Sequence, residues 1–259
     1  LSAGGGAFSL PERKEYALPE TGSQPKRSGG FSGGTTACGI RVSVEKRIFA
    51  VRPLTCGARR TMKESWKPGT MIYPLPAVLV GCGDAPDNWN LLTVAWTGTV
   101  CTAPPMCYVS VRPERHSHAL IARTGEFTIN LTTAAMARAV DWCGVRSGRD
   151  FDKFRETGLT PVRGAVVAAP ALEESPVVVE CRVRQILPLG SHDMFLAEVV
   201  NVLVDDRYID SATGRFDLER AGLVAYSHGE YFRLGELIGH FGWSVRRRKI
   251  IVRERKGRR

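Results

Sequence analysis

The sequence predicts a mainly β protein of the α+β type, an antiparallel barrel rather than a sandwich. Two observations carry that prediction. Some six or seven short strand-like runs succeed one another from Met62 onward, and short helical segments fall between them instead of clustering at one end. A hydrophobic content of 43% over 259 residues is ample for a core.

AVLVGCG (77–83) is an apolar run ending in Gly and Asp, and the polar turn DAPDNWN leads into LLTVAWTG. There Thr93, Thr97 and Thr99 alternate with Val94, Trp96 and Gly98, so one row carries hydroxyls and the other apolar groups. A Pro-Pro turn joins this strand to MCYVSVR (106–112). Ser117 is the expected N-cap of the helix HALIART, closed by Gly125, and EFTINL (126–131) is the next strand. Thr133 is expected to cap a second helix, TAAMARAVDWCG, with Gly144 as its stop. SGRDFDKFRETG (147–158) reads as a loop with one short helix or as a lid. In VVVECRVRQI (177–186), Glu180, Arg182 and Arg184 alternate with Val179, Cys181 and Val183, which predicts one wet and one dry face. MFLAEVVNVLVDD (194–206) is its expected hairpin partner, and AYSHGEYFRLG (225–235) is expected to close the core.

Charge is placed unevenly. Residues 1–61 hold 10 Lys/Arg against 4 Asp/Glu and residues 246–259 hold 9 against 1, whereas residues 62–245 hold 17 against 21. The net +10 therefore belongs to the ends. A specific nucleic-acid site, which would need its basic residues on a folded face with stacking aromatics, is not expected. Residues 1–61, rich in Gly, Ser, Arg and Pro, read as a non-folding or non-native extension with Met62 as the native start, and residues 246–259 as a basic tail. Neither a membrane span nor a signal peptide is recognised, so a cytoplasmic location is expected. Of the seven cysteines, Cys82, Cys101, Cys107, Cys143 and Cys181 fall in the core region without CxxC spacing, which favours free thiols over a disulfide scaffold or zinc. Cys143 stays open as an exception.

The chemistry-bearing residues begin at Arg112 and Arg115, which flank a helix start. Free amides and guanidiniums converging there suit a phosphate dianion, although both residues would elsewhere be solvated surface charge. Trp96 suits a core position or a cofactor wall. His116 and His118 form an HxH pair without a third local ligand, so no metal is expected. His192 and His228 are either acid/base groups or turn anchors. Asp150 and Lys153 are spaced for an i,i+3 ion pair. With no GxSxG, GxxxxGK[ST] or post-strand GxGxxG, a hydrolase, a nucleoside triphosphatase and a separate Rossmann site lose weight.

The strings TVAWTGTVCTAPPM, SVRPERHSHALI, VDWCG with SGRDFDKF, GSHDMFLAEV and GLVAYSHGEYFRLG resemble, in order and spacing, the flavin reductase-like, FMN-binding split-barrel family that includes flavoredoxins. The similarity covers residues 62–245. It implies a homodimeric split barrel with noncovalent FMN, often near the subunit interface. By position, Thr93, Ala95, Trp96, Thr97 and Gly98 would line the isoalloxazine, and Arg112, Arg115, His116 and Ser117 would hold the phosphate. Asn130, Cys143, Gly144, Ser147, Gly148, Arg149, Asp150 and Lys153 would complete the pocket or its rim. His192, with Tyr226, Ser227, His228 and Tyr231, would lie toward the substrate, with His192 and His228 the catalytic candidates. The implied activity is electron transfer from NAD(P)H through FMN to a flavin, an electron carrier such as a redox partner protein, or a small acceptor. The rival is a noncatalytic FMN store or electron carrier; a nucleic-acid module driven by the basic ends is a weaker third.

Deleting residues 1–61 and 246–259 is expected to leave flavin binding intact. Titration of the truncated chain with FMN checks this, and loss of binding would show that the ends contribute to the site.

Overall fold

The computed structural model describes residues 63–245, so the expectations for Met62 and for the two basic ends lie outside the described residues. Seven strands form one antiparallel sheet: β2 (Val78–Cys82), β3 (Asn90–Val94), β4 (Thr97–Thr102), β5 (Pro105–Val111), β6 (Glu126–Leu131), β9 (Val177–Pro188) and β10 (Asp193–Val204). Their order is β3-β2-β6-β9-β10-β5-β4. The edge strands β3 and β4 are consecutive in sequence, separated only by Ala95 and Trp96. A chain passing from one edge of a sheet to the other in two residues requires that sheet to curl until its edges meet. The Ser110 amide, donating to the Trp96 carbonyl at 2.9 Å, holds the junction. The single strand expected through Thr93–Thr99 is thus two strands on opposite edges. The alternation continues unbroken across the bend and conceals it.

One face of the curled sheet forms the barrel core, where Val80, Val109, Phe127, Cys181 and Phe195 converge beneath Ile121 of α1 (His116–Thr124). The opposite face of β2 and β3 packs through Leu79 and Leu91 on Val140 and Cys143 of α2 (Ala137–Val145). Strand β2 is consequently buried at all five positions, which its uninterrupted apolar sequence suits. Two small sheets flank the barrel. β7 (Pro161–Arg163) pairs with β8 (Pro170–Leu172). β1 (Leu75–Pro76) pairs with β11 (Val224–Ser227), itself in a hairpin with β12 (Glu230–Arg233). The 225–235 segment expected to close the core is therefore a hairpin outside the main sheet. Its turn places His228 at φ 50° and Gly229 at φ 87°, the left-handed pair that a tight two-residue hairpin demands.

Three local expectations are corrected. The extended residue before α1 is Arg115, so the helix starts earlier and Ser117 lies inside it, buried, its hydroxyl accepting from Asn90 Nδ2 at 2.7 Å. Gly125 does close α1, at φ 69°. Gly144 does not stop α2, which runs to Val145. It lets α2 lie against β3, since a Cβ there would sit 3.3 Å from Thr93 Cβ. Glu180 is not on a wet face: it is fully buried and accepts from the amides of Ala165 (2.6 Å) and Val166 (3.2 Å) and from Asn201 Nδ2 (2.7 Å). Its carboxylate replaces water for a loop that has no strand partner there.

Glu180→Ala removes the acceptor shared by three part-buried donors and opens a void in the sheet, and is expected to destabilise the fold by about 2–4 kcal/mol. The midpoint of urea unfolding reads this. A shift equivalent to less than about 1 kcal/mol would mean that water replaces the carboxylate freely.

Candidate functional site

The bend between β3 and β4 opens onto a cleft of two adjoining chambers. The first, about 400 Å³, is bounded by the chain from Leu92 to Trp96, by Ala77, by Gly144 of α2 and by His192. Its walls near Ala77, Ala95 and Gly144 are small, leaving a slot suited to a flat ring system. The second, about 300 Å³, lies over the start of α1 and the turn after α2, and includes His116, Ser117, Ser147, Gly148 and Lys153. Leu92, Arg112 and Arg115 line both chambers, so the two form one continuous groove.

The second chamber is electrostatically lopsided. Arg112, Arg115, Arg146, Arg149 and Lys153 face a single carboxylate, Glu114, which lies 2.9 Å from Arg112. Arg115, Arg146 and Arg149 have no carboxylate partner among the described residues. The His116 and Ser117 amides in the first turn of α1 add to this positive end, while that of His118 donates to the Arg115 carbonyl.

Lys153 opens α3 (Lys153–Thr157) and is only 3% exposed. Its Nζ donates to the carbonyls of Leu91 (2.8 Å) and Cys143 (2.7 Å), joining β3 to the last turn of α2. The ammonium has three donors, and these bonds use two. Burial, aided by Arg115, pulls its pKa below the ordinary lysine value, while Cys143 and Cys82 oppose the shift. The expected pair with Asp150 does not form. Asp150 is exposed, and the cap of α3 is Asp152, which accepts from the amides of Phe154 and Arg155.

His116 is held below its ordinary pKa by burial and by Arg149 and Lys153, and His192 by burial and Arg112. The His192 ring lies 4.5 Å from the Trp96 ring at 39°, with Nδ1 3.0 Å from the Ser191 hydroxyl. Across the first chamber the Tyr231 hydroxyl is 3.4 Å from Asp141 Oδ1. Burial and Asp141 push its pKa up to about 12.

Among the residues expected at the site, the structure brings together Thr93, Ala95, Trp96, Arg112, Arg115, Gly144, His192, Tyr226 and Tyr231 in the first chamber. Arg112 and Arg115 recur in the second, with His116, Ser117, Ser147, Gly148, Arg149 and Lys153. The others fall elsewhere. Thr97 and Gly98 lie beyond the bend, against Tyr108, in an apolar hollow at the barrel end. Asn130 is buried between β2 and β8, bonded to the Leu79 carbonyl and the Leu172 amide. Cys143 is in the core and reaches the groove only through its carbonyl on Lys153. His228 sits in the β11–β12 turn, its ring 4.3 Å from that of Tyr73. Asp150 lies past the second chamber. His118 is tied to Asp193 at 2.8 Å, which fixes α1 to β10. The reading of sequence missed Asn90, Asp141 and Arg146. Of these, Arg146 alone had a signal, a cation between a helix end and a Ser-Gly turn.

Fold and groove together define a split-barrel protein with an elongated cleft that is cationic at one end. The sequence profile of the flavin reductase like domain matches residues 70–235, and the chain belongs to that family, a flavin-binding one. It is similar to the flavoredoxin of Desulfovibrio vulgaris (Miyazaki F), at 32% identity and a TM-score of 0.66 over 71% of this chain and 100% of that one. An FMN-binding protein from Thermus thermophilus with bound 1-cyclohex-2-enone aligns at 26% identity and a TM-score of 0.58, over 71% and 99%. A protein of Archaeoglobus fulgidus is 28% identical over 161 residues, 62% of this chain and 88% of its own.

Burial pushes the Cys82 and Cys143 thiols up to about 11, whereas Cys101 is half-buried at the barrel rim. The thiolate is the reactive form, and a thiol of pKa about 11 is only about 0.1% ionised at pH 8. Brief alkylation of the native protein at pH 8, mapped by peptide mass, is therefore expected to mark Cys101 and spare Cys82 and Cys143. Labelling of Cys143 at the rate seen in urea would mean that the groove floor opens.

Proposed function

We propose that the protein is an FMN-binding oxidoreductase that takes electrons from NAD(P)H and passes them to a free flavin, an electron carrier or a small acceptor. The observation that carries this reading is the groove itself, a small-walled slot continuous with a chamber holding five cationic side chains against one carboxylate. The donor set fits FMN: a small-walled slot with polar groups at its edge for the ring, and uncompensated cations for a phosphate of charge about −2.

When bound, FMN supplies the hydride and single-electron chemistry, and the chain supplies position and charge. Arg115, Arg149 and Lys153, with the first turn of α1, neutralise the phosphate. The Thr93 hydroxyl is committed to the Val140 carbonyl at 2.5 Å, so backbone groups of Thr93–Trp96 address the ring edge. Trp96 and His192 wall the slot. With Nδ1 engaged by Ser191, His192 keeps Nε2 for proton exchange with a donor or acceptor.

The same reading takes the protein to be a homodimer. Supporting it are exposed apolar side chains beside the bend, with Ile72 at 85% and Met71 at 59%. The location proposed is the cytoplasm.

Anaerobic mixing with NADH or NADPH is expected to bleach the FMN-loaded protein and, with an acceptor present, to sustain turnover; a flavoprotein that binds FMN but is not reduced would be a carrier instead. Arg115→Ala is expected to weaken FMN about 10- to 100-fold and riboflavin hardly at all. Equal losses would remove Arg115 from the phosphate. Light scattering is expected to give twice the chain mass, and a monomer would refute the dimer.

A further inference from the structure

Three thiols gather away from the groove. The hollow at the barrel end, about 350 Å³, is walled by Val78, Ile129, Val179 and Val199 and carries Cys101 and Cys107. None of these residues lines either chamber of the groove. Cys107 is buried, its Sγ 3.5 Å from that of the buried Cys181, whereas Cys101 is half-buried at the rim.

Sheet geometry decides which two of the three can join. Cys107 and Cys181 stand on β5 and β9, with β10 between them. Two strand intervals in a curled sheet keep their Cα atoms roughly 8–9 Å apart, beyond the reach of about 7 Å that a disulfide has without backbone movement. Cys101 and Cys107, by contrast, lie on the paired strands β4 and β5. In a regular ladder that opposes Thr99 and Cys107, Cys101 would face Pro105, two steps and about 7–8 Å from Cys107. The ladder is not regular. Thr99 pairs with Cys107 but Cys101 pairs with Met106, which leaves Val100 as the extra residue of a bulge. Cys101 is thereby drawn to within one step of Cys107. One strand interval and the rise of one residue put their Cα atoms about 6 Å apart, the usual disulfide spacing. Both side chains line the same hollow.

The thiols differ in what they can do. Cys101 alone of the three is open to a reagent from solvent. Cys181 has its pKa pushed up by the hydrogen bond to Cys107 and by burial, so it keeps its proton and serves as a donor. That bond lowers the pKa of Cys107, with burial opposing it. The apolar wall admits a small neutral oxidant more readily than an anion.

We propose that Cys101 and Cys107 are a modification site, a dithiol that a hydroperoxide closes to a disulfide across the β4–β5 hairpin. The Cys101 thiolate attacks a peroxide oxygen; the O–O bond breaks, the leaving hydroxide takes up a proton as water, and Cys101 carries a sulfenic acid. Cys107 then gives up its proton and attacks the Cys101 sulfur. The S–S bond forms, the S–O bond breaks and a second water departs. Two thiols together give two electrons and two protons to one peroxide. None of these steps needs a flavin.

The test treats the reduced full-length protein with one equivalent of hydrogen peroxide, alkylates the remaining thiols in urea and maps the peptides by mass. The expected product has lost two hydrogens, with Cys101 and Cys107 joined and unalkylated, and dithiothreitol restores both. In Cys107→Ser the bridge is lost and the sulfenic acid on Cys101 persists, to be trapped by dimedone. Cys101→Ser is expected to leave Cys107 reduced. The wild-type map decides alone should either variant not fold. Oxidation of Cys101 with Cys107 still alkylated overturns the assignment, as does a bridge from either residue to any other cysteine, or no oxidation of the pair at all.

Discussion

The bend at Ala95 and Trp96 is the constraint from which the rest follows. Because β3 and β4 are opposite edges of one sheet and only two residues part them, the sheet must curl, and the curl leaves a mouth where the strands diverge. Side chains cannot fill that mouth from the barrel interior, which is already packed around Phe127 and Phe195. A ligand groove at a split between strands is thus a consequence of the closure rather than an addition to it.

The second determinant is the buried ammonium of Lys153. It ties Leu91 of β3 to Cys143 of α2 and thereby sets how far the helix stands from the strand, and Gly144 permits the close approach. A cation in that position is costly to bury, and its lowered pKa records the cost. Arg115 worsens the situation by like charge. An anion in the chamber, as proposed for the flavin phosphate, would relieve both. Burial and the same cations also lower the pKa values of His116 and His192, which disfavours their charged forms.

Much of the barrel was legible in the sequence because strands advertise themselves through local pattern. Residues 126–131 and the 177–186/194–206 hairpin carry their apolar content in runs that only a sheet can bury. What escaped depended on distant partners. The bend at Ala95–Trp96 preserves the alternation on either side of it. Glu180 looks solvated until Ala165, Val166 and Asn201 are found around it. Ser117 has the composition of a cap, but Asn90, at the start of β3 and 27 positions away, claims its hydroxyl. For the site, Arg112, Arg115 and the 147–153 segment were identifiable from charge and resemblance. Resemblance also drew in Asn130 and Cys143, which support the groove through the core without lining it.

The proposed flavin site requires one arrangement: a flat ring beside Thr93–Trp96 with its anion over the start of α1. A crystal structure of the full chain with FMN measures this most directly. The predicted result is an isoalloxazine lying in the slot between Ala95 and Gly144, with phosphate oxygens in hydrogen-bond reach of Arg115 and Lys153 Nζ. A flavin bound elsewhere, or bound there with its phosphate turned away from Arg115 and Lys153, would contradict it.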